Sequence, residues 1–167
     1  MLIRPATTDD FDALRAIELA AFETLRAAGA VGGVPSASSD QQLQRYLDGG
    51  FLDVACDHSG DAIGFCGGYI AEHLLHIGEM DVHPNCQRQG VGRALLTAAL
   101  DKARAQRLDG ATLTTDRLAP FNAAFYATMG FRALADDELP ARLREILEEE
   151  AKIGLDPARR VAMMLRF

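Results

Sequence analysis

Tryptophan is absent, and the 167 residues include only 3 cysteines, 4 histidines and 6 prolines. Cys56, Cys66 and Cys86 are odd in number and form no C-x-x-C pair, so their spacing supplies neither a disulfide framework nor a zinc knuckle. The histidines show no H-x-x-x-H or carboxylate spacing, and no metal site is expected. No apolar run approaches the roughly 20 residues of a membrane span. The opening MLIRPATTDD turns acidic before an apolar signal core forms, so no signal peptide is read there. Basic charge is also short. Seventeen Lys and Arg against 24 Asp and Glu leave a net charge of -7. That balance argues against nucleic acid or an anionic membrane as a generic partner, and a cytoplasmic protein is expected.

What remains is 49% hydrophobic and 25% charged, the balance of a soluble globular protein. Residues 1–167 match the length of a single domain, which should bury about 70% of its unfolded surface. Leu2 to Arg4 reads as a strand. Phe11, Leu14, Ile17, Phe22 and Leu25 recur at helical spacing to about Ala28. Gly29 to Ser39 is a Gly/Ser/Pro-rich loop, and Ser39 with Gln42 has capping-box spacing for a second helix ending by Gly49. FLDVACD and AIGFCGGYIAE flank the polar turn HSGD, giving a hairpin.

His73 to His83 predicts a further strand, with Met80 and Val82 on one face and Glu79 and Asp81 on the other. Val91 to about Arg107 is a periodic helix, ATLTT a strand, and Pro120 suits the first turn of another helix stopped at Gly130. Phe131 to Leu134 is a strand. DELPARLREILEEEAKIG is an acidic amphipathic helix with a solvated face, and VAMMLRF closes the chain as a strand. The order β-α-α-β-β-β-α-β-α-β-α-β predicts a mixed α/β sheet with helices on both faces.

The informative stretch is DVHPNCQRQGVGRALL, Asp81 to Leu96. A strand ends, a short polar loop follows, and Gly90 and Gly92 open a helix. The first amides of a helix lack partners and carry partial positive charge, which captures phosphate groups. Glycines let a diphosphate approach the backbone, and Arg88 and Arg93 add charge. No Gly-Lys-Ser/Thr follows, and Leu95 stands where a Rossmann fingerprint needs its third glycine. A tight turn is the bland alternative.

QRQGVGRAL resembles the acetyl-CoA-binding loop of the GNAT N-acetyltransferase superfamily, Gln/Arg-x-x-Gly-x-Gly/Ala, through Gln87, Gly90 and Gly92. Met80, Val82 and Pro84 resemble the family's preceding strand. Tyr126, Gly130 and Phe131 resemble its Tyr-x-x-x-Gly-Phe ending, so the likeness spans nearly the whole chain. The resemblance implies a central, mostly antiparallel sheet of about seven strands with a splayed parallel pair. It implies acetyl-CoA as co-substrate, with the pantetheine arm pairing with Met80, Asp81 and Val82 in the splay. The diphosphate would sit on the amides of Arg88, Gln89, Gly90, Val91 and Gly92. It further implies direct acetyl transfer to an amine, without an acyl-enzyme.

Tyr126 resembles the family's general acid; a core tyrosine is the alternative. The family often carries asparagine seven residues earlier, where Ala119 stands. Asn122 shares a helical face with Tyr126 and either touches the pantetheine arm or bonds the loop, while Phe125 sits beside the same arm. Glu79, His76 or an ordered water is the base. Glu79 and His76 differ by three on a strand, so they are expected on opposite faces, His76 with Met80 and Val82. Glu18, Phe22 and Leu25 could line the acceptor cleft, although Glu18 reads first as a solvated helix carboxylate. The expected partner is a small-molecule primary amine. A peptide or protein amine and a non-catalytic CoA sensor are the other readings, for a monomer or homodimer.

Overall fold

A computed structural model describes residues 1–167. Its elements are β1 (Leu2–Pro5), α1 (Phe11–Ala27), α2 (Asp40–Asp48), β2 (Leu52–Cys56), β3 (Ala62–Ala71) and β4 (Leu74–Val82). α3 (Val91–Ala105), β5 (Gly110–Asp116), α4 (Ala123–Thr128), β6 (Arg132–Ala133), α5 (Ala141–Lys152) and β7 (Arg160–Arg166) complete the chain. The order is the one read from the sequence.

Local chemistry sets several boundaries. Ser39 Oγ accepts from the Gln42 amide at 3.2 Å, and Gln42 Oε1 accepts from the Ser39 amide at 2.9 Å, closing the capping box of α2. Asp57 Oδ1 accepts from the Ser59 and Asp61 amides and shapes the β2–β3 turn. Glu72 and His73 both adopt positive φ, 52° and 61°, as a two-residue hairpin requires. α4 starts at Ala123 and not at Pro120. The physical reason is the backbone at Asn122, φ -105° and ψ -97°, which leaves the helical region. Asp116 Oδ1 accepts from the Leu118 and Ala119 amides at 2.8 and 2.6 Å and holds the stretch before it in a turn.

The sheet runs β1-β2-β3-β4-β5-β7-β6. Every neighbouring pair is antiparallel except β4 and β5. Their parallel ladder pairs Leu74 with Gly110, Leu75 with Ala111 and His76 with Thr112, then stops. Both strands continue, to Val82 and Asp116, so a gap opens between them. The mixed α/β architecture with one splayed parallel pair agrees with the sequence reading.

Under one face, α3 and α4 pack on Cys66, Leu75, Ile77, Leu113 and Met163. On the other, α1 and α2 bury Phe11, Leu14, Ile17 and Leu43 against Val54 and Phe65. Beside them α5 buries Leu143 against Leu74, Ala162 and Met164, so this helix is part of the sheet's cover and not only a solvated element.

One irregularity decides which side chains meet. Gly67 pairs with Glu79 and Gly68 with Ile77, leaving Gly78 as an extra residue in β4. Such a bulge reverses the alternation of everything beyond it. Cross-strand partners share a face, so His76 (opposite Tyr69), Glu79 (opposite Gly67) and Asp81 (opposite Phe65) all face α1 and α2. Leu75, Ile77, Met80 and Val82 face α3. The expectation that His76 sides with Met80 and Val82 is therefore corrected. Tyr46 of α2 lies across Gly67 and Gly78, and a side chain at either glycine would collide with its ring or hydroxyl.

Candidate active site

The loop from β4 into α3 presents backbone donors. Amides of residues 88–93 donate to no protein acceptor, and the first bond of the helix runs from the Ala94 amide to Gly90 O at 3.0 Å. Gly90 sits at φ 85°, a left-handed conformation that favours glycine, and a Cβ there would project into open space. The loop's side chains mostly hold the loop itself. Gln87 Nε2 donates to Val82 O at 3.1 Å, and Gln89 Nε2 to Asn85 O at 3.0 Å. Arg93 reaches Thr128 Oγ1 at 3.0 Å and the Met129 sulfur on α4. Val91 is core, 3% exposed, so only its amide is available to a ligand. Arg88 is exposed and is the loop's uncommitted cation.

The gap has a mixed lining. Gly92 faces Val82, Phe125 and Met80, each within ordinary contact of a Cβ at that position. Phe125 and Tyr126 of α4 meet edge to face at 5.2 Å, and Tyr126 meets Phe131 at 5.9 Å. Asn122 caps α4 and is half-buried; its carbonyl accepts from the Tyr126 amide at 3.1 Å. Burial, with the charges of Asp81 and Glu79 nearby, pushes the Tyr126 phenol well above the usual tyrosine range. It therefore carries its proton at neutral pH.

On the opposite face three carboxyls gather. Burial, then the Asp81 and Glu18 charges, raises Glu79 well above the usual carboxylate range. Burial and Glu18 push Asp81 up to about 7. Glu18 is raised by burial, despite accepting from Ser38 N at 2.8 Å and Ser38 Oγ at 3.3 Å. These groups compete for protons, so Glu79 and Asp81 titrate as a pair and the Asp81 charge raises the hold of Glu79 on its proton. Glu18 is thus no solvated helix carboxylate: it clasps the 29–39 loop onto α1.

His76 is a different matter. Its Nδ1 lies 3.0 Å from Thr112 Oγ1, and burial with Arg142 and Arg45 drives its pKa down to about 3. A neutral, weakly basic imidazole follows. Next to it, α2, α5 and the strands border a half-open pocket of about 240 Å³, lined by Arg45, Tyr46, Tyr69, His76, Thr114 and Glu150 among others. Glu150 is spoken for by Arg160 at 2.8 and 2.9 Å and by Thr114. Phe22 and Leu25 are half-buried on α1, and Phe22 underlies the Arg26 guanidinium at 4.9 Å.

Asp81 as a titrating side chain, together with Arg45, Tyr69 and the Arg160–Glu150 pair, escaped the sequence reading. The one available signal was Gly78 inside a strand pattern, which marks a bulge. Cys66 is buried, its thiol pushed up by that burial, and no cysteine is set up as a nucleophile.

Solved structures carry the same fold, a seven-strand sheet with one splayed parallel pair. One is the N-acetylglutamate synthase of Neisseria gonorrhoeae, with TM-score 0.72 and 20% identity over 99% of this chain. The chain spans 34% of that protein's length. Another is the ribosomal-protein-S18-alanine N-acetyltransferase of Escherichia coli, with TM-score 0.67 and 20% identity over 99% of this chain and 92% of that one. The paia N-acetyltransferase of Thermoplasma acidophilum, solved with coenzyme A, gives TM-score 0.69 at 14% identity, covering 99% and 98%. Residues 12–131 match the acetyltransferase (GNAT) family, and the chain belongs to it. That family is one of acetyltransferases, and two of these solved structures hold coenzyme A.

Proposed function

We propose that residues 1–167 act as one domain that moves the acetyl group of acetyl-CoA to a primary amine of a small molecule, by direct attack in a ternary complex. The observation that carries this reading is the early end of the β4–β5 ladder at His76 and Thr112, with Tyr126 on one side of the gap and Glu79 on the other. In it, the unpaired edge at Met80, Asp81 and Val82 takes the pantetheine arm, flanked by Phe125 and Asn122. The amides of Arg88 to Arg93 take the diphosphate, with Arg88 adding charge and Gly90 leaving room. Gln87 and Arg93 serve by fixing the loop.

Acetyl-CoA supplies a thioester carbonyl. The Glu79–Asp81 pair, titrating near neutrality, accepts the proton the amine must lose. The amine nitrogen bonds to the carbonyl carbon, the carbon–sulfur bond breaks, Tyr126 protonates the departing thiolate, and the second proton shed by the nitrogen restores the phenol. His76, at about 3, is too weak a base for this and instead orients the cavity wall with Thr112. The half-open pocket of about 240 Å³ beside Gly78, next to Glu79 in the chain, has the size for a small acceptor. One relative is named for an amino-acid product and another for a protein acceptor, so kinship does not choose between them.

The test is thiol release from acetyl-CoA across amines, amino acids and short peptides. Saturable transfer to a small amine is expected, with Tyr126→Phe lowering kcat about 100-fold or more while the acetyl-CoA KM changes little. Tight CoA binding without transfer to any amine, or full turnover in Tyr126→Phe, would remove the reading.

A further inference from the structure

The acceptor side of the sheet holds two sets of charges without partners, one at each end. Arg45 lies over the Tyr69 ring, its guanidinium carbon 3.7 Å from the centroid, and makes no ion pair or hydrogen bond. The carboxylate that shares its cavity, Glu150, has its charge committed to Arg160. At the other end, Asp81 is 9% exposed and its Oδ2 is buried without a donor. No Lys or Arg pairs with Glu18, Glu79 or Asp81. An unsatisfied buried carboxylate oxygen is costly unless something else supplies the donor.

Tyr46 joins the two ends. Its ring is parallel to that of Tyr69, centroids 6.4 Å apart, and its hydroxyl rests against Gly78. Tyr69, beneath Arg45, and Gly67, opposite Glu79, are two residues apart on β3, a separation of about 7 Å along a strand. An exposed cation and a set of buried carboxyls therefore flank Tyr46, whose hydroxyl feels the charges of both Arg45 and Glu79.

We propose that the acceptor is an ω-amino carboxylate: its amine points to Glu79 and Asp81, and its carboxylate, several bonds away, lies on Arg45. This deepens the proposed acetyltransferase reading and rests on it. A guanidinium fork grips a carboxylate through two parallel bonds, and the ammonium end satisfies the open Asp81 oxygen until it loses its proton for attack. A plain alkylamine leaves Arg45 unused, and a diamine brings a second cation against it.

The experiment measures kcat/KM by thiol release for glycine through 6-aminohexanoate, each beside the unsubstituted alkylamine of the same chain length. The expected result is a ratio of at least about 10 in favour of the carboxylated amine, largest among the longer members of the series. Arg45→Gln should bring that ratio close to one and Arg45→Lys should keep part of it, with calorimetric CoA affinity checking that both variants are folded. Equal efficiency for the two series in the wild type, a ratio unchanged by Arg45→Gln, or a preference for aminoalkylphosphonates overturns the assignment while leaving acetyl transfer intact. Absence of transfer to every amine overturns the underlying acetyltransferase reading as well, and so separates the two failures.

Discussion

Asp81→Asn changes a charge inside the site without changing its shape. Glu79 and Asp81 are alternate residues on one face of β4, about 7 Å apart. Their carboxyls reach each other within hydrogen-bond distance, and two unit charges about 4 Å apart repel by about 4 kcal/mol at an effective dielectric near 20. After burial, the Asp81 charge is the largest of the causes that raise Glu79. The burial that also raises Glu79 survives in the asparagine variant. The acid limb of kcat/KM should therefore move to lower pH, measured by thiol release at constant ionic strength. Stability should move too. The folded Asp81 carboxyl titrates at about 7, above its unfolded value of 3.8, so the native state binds the extra proton. Wild-type stability accordingly falls as pH rises through that window, by up to roughly 4 kcal/mol, a loss the variant does not suffer. The variant should be the more stable protein at pH 8, with the gap closing toward pH 4. An acid limb that stays in place or moves upward would refute the coupling of the two carboxyls.

Two more perturbations address the frame. Gly90→Val forces a β-branched residue to φ 85°, which strains the loop that aims the free amides; backbone strain of about 1–2 kcal/mol and at least a roughly 10-fold loss of CoA affinity by calorimetry are expected. Unchanged affinity would detach the loop from CoA binding. Asp116→Ala removes the 1%-exposed carboxylate that pairs with Arg159 at 2.7 Å and caps two amides. Loss of the acceptor for the two amides should cost about 1–3 kcal/mol in denaturant unfolding, and a change under about 0.5 kcal/mol would show that the turn is held by other contacts.

The sequence made the element order legible because each helix carries its own punctuation: Ser39 and Gln42 at one start, Gly90 at another, Gly130 at an end. The phosphate-type loop was legible for the same reason, since free amides at a helix start are a local property. The face of His76 was not. Strict alternation fails wherever a strand takes an extra residue, and the insertion at Gly78 depends on the pairing with Gly67 and Gly68, which no residue of β4 encodes alone. Glu18 was misread for a related reason. Its helix shows an ordinary polar position there, and only the Gly29 to Ser39 loop folding back, with Ser38 donating twice, removes it from water. Pro120 failed as a helix start because the backbone at Asn122, φ -105° and ψ -97°, leaves the helical region and restarts the helix at Ala123.

The short seam between β4 and β5 divides the sheet mechanically. Four strands, β1 to β4, form one plate and three, β5, β7 and β6, form another, stitched over Leu74–His76 and Gly110–Thr112. Beneath the stitch, α3 acts as a splint, its leucines seated on residues of both plates, among them Leu75 and Leu113. Each plate can then take its own twist, and the width of the opening becomes an elastic quantity set by that splint and not by hydrogen bonds. A molecule lying in the opening with its amides paired to the strand edge would finish the ladder. The substrate would thus serve as an interior strand of the protein that transforms it.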